Sequence, residues 1–302
     1  MKLSVIIPCH PRNLPTLPRT LRSLDAAAAE WRGEVERLVV DDDESRGLSW
    51  ARNRGLDRAT GDVVFFVDAD DTVRPGYFRA LTQLLEAANA DLAISSFDYA
   101  PLKRDYDLKG NAAVRAAMLP AFFGYSFEDV RRWNRGGELA ARREQGGVWR
   151  CAFRRAFLER HRLRFDENLF LYEDAPFLAE CAGYATRVVS TREALYDYAP
   201  GAGGILSSSP RGSEAYRAYK FAALENRKAM AARIGAEVLE QFRGSAAFSA
   251  LEFLSDGRLG ELRRYLADPF VRESLRGFPL SCRHPLVASA VLLLKTAFPS
   301  TL

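Results

Sequence analysis

The acidic residues of this chain fall into short, regular spacings. The stretch "VVFFVDADDTV" (63–73) runs from five apolar residues into Asp68, Asp70 and Asp71, and the same D-x-D spacing recurs at Asp41–Asp43 and Asp105–Asp107. Two chemistries use such a spelling. In one, Asp68 attacks phosphorus as a nucleophile while Asp70 serves as acid/base. In the other, the carboxylates hold a divalent cation against a nucleotide sugar. Converging acids repel one another unless a cation or protons intervene, and hard oxygen ligands suit Mg2+ or Mn2+. Helix capping and turn formation are the structural alternative for "VDDDES" and "DADDTVRP".

Position separates the three acid clusters. Asp105 and Asp107 lie in "KRDYDLK", with no apolar run before them, and read as a solvated loop. The other two clusters each close an apolar run, "RLVV" (37–40) or "VVFFV" (63–67). The first hundred residues alternate such runs with helical spacing. "LSVIIP" (3–8) precedes Leu14, Leu17, Leu21 and Leu24, and a helix opened by Pro75 carries Tyr77, Leu81, Leu84, Leu85 and Ala88 before "DLAISSF" (91–97). That alternation predicts a parallel α/β sheet, with both acid clusters at the carboxyl edge where such sheets bind ligands. From about 100 to 148 the periodicity weakens, predicting irregular structure over the sheet. "RCAFRRAFLERHRL" (150–163) reads as a helix and a second helix begins near Asp174. Beyond Ser213 the pattern is helical throughout.

Composition narrows the class. With 302 residues and 48% hydrophobic content, the chain can bury a large core, and disorder is excluded as the general picture. Cys9, Cys151, Cys181 and Cys282 are scattered, without a C-x-x-C pair, which fits a reducing cytoplasm. A formal charge of +4 without an aromatic-interleaved basic run argues against nucleic acid as a partner. "MKLSVIIPCHPRN" is too short in its apolar run for a signal peptide. The longest other apolar stretch, "PLVASAVLLL" (285–294), falls short of the roughly 18 to 20 residues that span a bilayer.

"FFVDADDTV" resembles the nucleophile loop of the haloacid dehalogenase superfamily, which would make the protein a phosphatase. That fold places the loop on its first strand, whereas here two strands precede it. A second resemblance covers more. "LSVIIPCH", "LVVDDDES", "SWARNRGLDRATGDVVFFVDADD" and "VWRCAFRRAFLERHRLRFDENLFLYEDAPF" are similar, in order, to the motifs of glycosyltransferase family 2, the inverting sugar transferases of GT-A fold. The likeness spans roughly residues 1–205 and continues into "ALYDYAPGAGGILSS".

The resemblance implies a mostly parallel sheet flanked by helices. The catalytic domain would be 1–210, with a nucleotide-sugar half to about 100 and an acceptor half over about 101–210, followed by a helical region at 211–302. It implies that Pro8, His10, Asp41 and Asp42 lie along the nucleotide. Arg52 and Asn53 would support the nucleotide or the acidic loop, Asp68 would face the ribose, and Asp70 would bind Mn2+ or Mg2+. Asp174 would be the general base, with Glu173 orienting it or binding acceptor, Trp149 would stack on a sugar, and Tyr172 would narrow the acceptor side. The implied reaction is metal-dependent, inverting transfer from a nucleotide-diphosphate sugar, a UDP-sugar foremost, to a hydroxyl of a glycan or glycoconjugate, lipid-linked acceptors included.

Departures from the family pattern keep alternatives open. Asp43 and Glu44 stand where small residues are usual, "ARN" follows early, His10 replaces a common Asn, and Tyr172 occupies the place of a Gly before E-D. A catalytically degenerate nucleotide-sugar binder acting in an assembly therefore stands beside the enzyme and the phosphatase. The C-terminal region, with 13 basic and 9 acidic residues from Glu214 to Leu302, is expected to approach an anionic membrane peripherally, to pack, or to form a homodimer.

Overall fold

The computed structural model describes residues 1–42, 44–97, 101–139, 144–199 and 212–297. Its centre is a seven-stranded sheet in the order β2-β1-β3-β7-β5-β8-β6. These strands are β1 (Leu3–Cys9), β2 (Val35–Asp41), β3 (Val63–Phe66), β5 (Leu92–Ser96), β6 (Asp107–Lys109), β7 (Cys151–Arg154) and β8 (Arg187–Ala194). A small second sheet joins β4 (Thr72–Val73) to β9 (Tyr196–Asp197). Strands β2, β1, β3, β5 and β8 share one direction, while β7 and β6 run against their neighbours. Because β2 and β3 flank β1 in parallel, Asp41 and Asp68 leave the sheet at the same edge.

β3 explains itself physically. All four of its residues are fully buried, so the strand is covered on both faces, as crossover helices require. On one face Phe65 packs with Tyr77 and Phe78, at centroid distances of 5.3 and 5.1 Å. On the other, Phe66 meets Phe153 and Phe165 edge-on at 5.7 and 5.3 Å, and Phe165 stacks on Phe177 at 4.0 Å. Removing one of these rings is worth about 3–5 kcal/mol. Phe165 and Phe177 bracket the "YED" segment, so the core itself fixes where Glu173 and Asp174 stand.

Helix α1 (Leu17–Ala29) follows β1, α2 (Leu48–Arg58) follows β2, and α3 (Tyr77–Ala87) follows β4. Pro75 precedes α3 by two residues, and the helix is entered through Gly76 at φ +84°. The approach of α2 to β1 depends on Gly55, where a Cβ would come within 2.2 Å of Ile6. That closeness brings Arg52, one turn earlier, against the sheet edge.

Two expectations are corrected. Residues 150–163 do not form one helix: Arg150 closes a 3-10 turn (Val148–Arg150), Cys151–Arg154 is β7, inserted antiparallel between β3 and β5, and α6 spans Arg155–Arg160. A buried strand such as "CAF" carries no polar alternation, so periodicity does not distinguish it from buried helix. The stretch 101–148 is likewise not simply irregular. It contains β6, α4 (Asn111–Phe122, with Pro120 inside) and α5 (Phe127–Asn134), which opens with a reciprocal Ser126–Asp129 capping box.

The chain divides into two compact units, Met1–Met118 with Glu144–Ser209, and Leu119–Arg143 with Pro210–Leu302. The second is helical, with helices at Glu214–Ile234, Arg243–Ser255, Leu259–Leu266, Pro269–Arg276 and Pro285–Ala297. It takes in residues 119–143, which the sequence reading assigned to the sheet domain. Within it Arg227 Nε donates to the Phe123 carbonyl (2.9 Å), and Trp133 stacks on His284 at 3.5 Å.

Candidate active site

At the carboxyl edge of the sheet one guanidinium gathers three carboxylates. Arg52, on α2, is 1% exposed. Its Nη1 donates to Glu173 Oε1 (2.7 Å) and Asp174 Oδ1 (2.8 Å), and its Nη2 to Asp68 Oδ1 (3.0 Å). Phe165 lies under the guanidinium at 5.3 Å. Asn53 holds the next segment: its Nδ2 donates to the Phe165 carbonyl and its Oδ1 accepts from the Phe165 N–H, both at 2.9 Å. Arg52 and Asn53 were candidates for the nucleotide or the acidic loop. Both side chains bond within the protein, clipping α2 to the acid-bearing strand end and to the 165–174 segment.

Asp174 begins α7 (Asp174–Tyr184), and its Oδ2 accepts from the Val148 N–H at 3.2 Å. Three acids share one cation here. Burial, reinforced by Glu173 and Asp68 and opposed by Arg52, pushes the Asp174 carboxyl up to about 8. A carboxylate with that proton affinity can take a proton near neutral pH.

The loop after β3 is pinned from both sides. The Asp68 N–H donates to Tyr196 Oη (3.1 Å), which donates in turn to Asp71 Oδ2 (2.8 Å), and Asp71 Oδ1 accepts from the Ala199 N–H (2.7 Å). From α1, the Thr20 hydroxyl lies 2.7 Å from the Asp71 carbonyl and 3.0 Å from that of Ala69, while Arg19 donates to the Asp70 carbonyl at 2.5 Å. Both carboxylate oxygens of Asp71 are thereby bonded within the protein. Burial, then the neighbouring Asp68, raises the Asp70 carboxyl above the usual range, with Arg12 and Arg19 working the other way.

Several expected contacts take another form. Asp42, expected against the nucleotide base, accepts from the Arg46 N–H (2.6 Å) and the Gly47 N–H (2.8 Å), so both its oxygens shape the loop. Asp41 is exposed at the end of β2, Pro8 is buried in β1, and Asp43 lies outside the described residues. His10 bridges the two strand ends: its Nδ1 accepts from the Arg12 N–H (3.2 Å) and its Nε2 lies 3.0 Å from Ser45 Oγ. Trp149, expected on a sugar face, is 4% exposed; its ring stacks on Tyr196 and Tyr198 at 4.4 and 5.8 Å and meets Phe97 edge-on. Its faces are committed to the core, and Tyr77 Oη donates to its carbonyl at 2.6 Å. Tyr172 sits at φ +56°, the left-handed region where glycine is at ease, and is 47% exposed. Asp105 is exposed and pairs with Arg192, while Asp107, expected with it in a solvated loop, is the first residue of β6.

Sequence reasoning passed over Thr20, Arg19 and Tyr196. Their only local signal was a helix face carrying hydroxyls and a Tyr in "ALYDY", and their partners lie about 50 to 130 residues distant.

Residues 43–161 match the family model "Glycosyl transferase family 2"; Asp174 lies beyond that match. The Succinoglycan biosynthesis protein ExoO of Rhizobium meliloti (strain 1021) is 28% identical over 301 residues, covering 87% of this chain and 81% of that protein. The Uncharacterized glycosyltransferase EpsJ of Bacillus subtilis (strain 168) is 31% identical over 175 residues, covering 57% of this chain, which thus spans about half (47%) of EpsJ. Among solved structures, S. aureus TarS 1-349 in complex with UDP-GlcNAc superposes with a TM-score of 0.57 at 19% identity, over 96% of this chain and 87% of that one. Asp68 as a phosphatase nucleophile finds no place in this setting, since its loop follows the third strand and one of its oxygens is held by Arg52. Motifs, relatives and sheet order converge: residues 43–161 are similar to glycosyltransferase family 2, the relatives are named as glycosyltransferases or polysaccharide biosynthesis proteins, and the fold is the GT-A fold of the solved neighbour.

Proposed function

We propose that the enzyme moves a sugar from a UDP-sugar to a hydroxyl of a glycan or glycoconjugate in one inverting displacement, with Asp174 as the base. The observation that carries this reading is the shared guanidinium. Arg52 holds Asp68, at the donor strand end, and Asp174, at the start of α7, within one buried cluster. An attacking hydroxyl must lose a proton as it meets the anomeric carbon, and Asp174 has the proton affinity for that transfer. Glu173 is buried beside it and orients the cluster through the same Arg52 nitrogen. The TarS complex with UDP-GlcNAc, which shares the fold, supports a uridine nucleotide as the first donor to test.

A divalent cation fits the chemistry of the donor set. Asp70 offers a hard oxygen ligand whose negative charge is opposed by burial and by Asp68, and a cation relieves both. Asp70, with Asp68 beside it, would hold the ion, which would neutralise charge on the departing nucleoside diphosphate. Asp71 already accepts from Tyr196 and from the Ala199 N–H, which favours Asp70 over it for that role. Arg12 and Arg19 bring further positive charge to the same loop.

The test is transfer from a panel of UDP-sugars in the presence of Mn2+, reading UDP release and the anomeric configuration of the product by NMR. Inversion is expected; a product that retains configuration would overturn the single displacement. Calorimetry of UDP with Mn2+ tests the ion separately. Asp70→Ala should abolish the metal-dependent part of the binding, and an unchanged isotherm removes Asp70 as its ligand.

A further inference from the structure

The helix Pro285–Ala297 covers its unit with one face and turns leucines outward with the other. Val291 and Leu294 are buried, whereas Leu286, Leu292 and Leu293 are 85%, 50% and 54% exposed. They stand with Ser289 and Thr296 along the open face, at the helical spacing of 286, 289, 292/293 and 296. Leu280, just before the helix, is also exposed. The surrounding sequence is one-sided in charge: from Ser274 to Leu302 there is no Asp or Glu, but there are Arg276, Arg283 and Lys295. Arg276 and Arg283 are exposed, and Lys295 donates to the Arg276 carbonyl at 2.9 Å. Among the described residues no helix is long and apolar enough to cross a membrane, and this one has 13 residues. An open leucine face in a stretch of chain whose only formal charges are cations, on a helix too short to span, has the chemistry of an interfacial helix lying in the headgroup layer of an anionic bilayer.

We propose that Pro285–Ala297 is a membrane-surface helix. Leu286, Leu292 and Leu293 enter the acyl boundary, and Arg276, Arg283 and Lys295 engage acidic headgroups. A protein partner or a second copy would match the leucines, but neither calls for a terminal stretch carrying cations and no acids, and that charge complementarity selects the lipid surface.

The experiment is flotation of the full chain with vesicles of phosphatidylglycerol and phosphatidylcholine, and with phosphatidylcholine alone. Wild type should float with the anionic vesicles. Each cation near the surface contributes about fivefold in affinity, so binding should weaken by roughly that factor for each of Arg276→Gln, Arg283→Gln and Lys295→Gln. The triple variant Leu286→Ser, Leu292→Ser, Leu293→Ser should stay in the pellet. Its positions face solvent, so circular dichroism should be unchanged. Cys282, the exposed cysteine, takes a polarity-sensitive dye as a second readout, with a blue shift expected on anionic vesicles only. Equal flotation of wild type and the leucine variant overturns the proposal. So does a wild type that ignores vesicles, including one that sediments as a dimer the leucine variant abolishes. None of these outcomes depends on sugar transfer, so the enzymatic reading stands or falls separately.

Discussion

At the scale of the residue, the site turns on Asp174 and Arg52. Replacing Asp174 with Asn keeps shape and loses proton affinity. UDP release should fall by about 10²–10⁴-fold, with UDP affinity measured by calorimetry within a factor of two or so of wild type. Retained turnover would take the base elsewhere. Arg52→Ala removes the one cation from three acids in a buried place, which costs about 3–5 kcal/mol and should be read as a lower urea midpoint. Arg52→Lys restores charge but cannot fork to three partners, and should recover only part of that loss. The acids were legible in the sequence, because each closes a short string with its own neighbours, "FFVDADD" or "LYEDAPF". The role of Arg52 was not, since its partners Glu173 and Asp174 lie 121 and 122 positions away. Nor was the burial of Trp149, since Tyr196 and Tyr198 reach it only through the fold.

At the scale of the element, the acidic loop is a short turn held by two helices' worth of side chains and by β9. Tyr196→Phe deletes one hydroxyl that accepts from Asp68 and donates to Asp71. Leaving those buried groups unmatched should cost about 1–3 kcal/mol and, with the donor role proposed for this loop, weaken UDP binding; a variant as stable as wild type by urea titration would show the relay to be idle. Tyr172 tests the opposite sign. A tyrosine at φ +56° carries strain of about 1–2 kcal/mol, so Tyr172→Gly should raise the melting temperature while lowering acceptor turnover. The parallel half of the sheet could be read from its alternating runs. β7 could not: it is a buried strand with no alternation, joined directly to α6, and both look alike to a period count. α4 was hidden by the Pro120 within it.

At the scale of the whole molecule, the buried acid cluster makes stability depend on pH. The Asp174 carboxyl rises in the fold from its ordinary 3.8 to about 8, so between those values the folded chain holds a proton that the unfolded chain does not. Its contribution is complete below about pH 4, shrinks as pH rises, and is gone above about 8. Urea midpoints should therefore fall across that window, with a shallower fall in Asp174→Asn, and parallel curves for the two proteins would assign the dependence to other groups. The order of the sheet has a consequence for how the chain is made. β5 leaves the ribosome well before either of its neighbours, for it pairs only with β7 and β8, whose residues begin at Cys151 and Arg187. Until then β3 also lacks one partner, so both edges of β5 and one edge of β3 wait in the open at once. A nascent chain stalled between residues 100 and 150 would be the stickiest species this protein ever presents, and fragments ending there should aggregate where those that include β7 and β8 stay in solution.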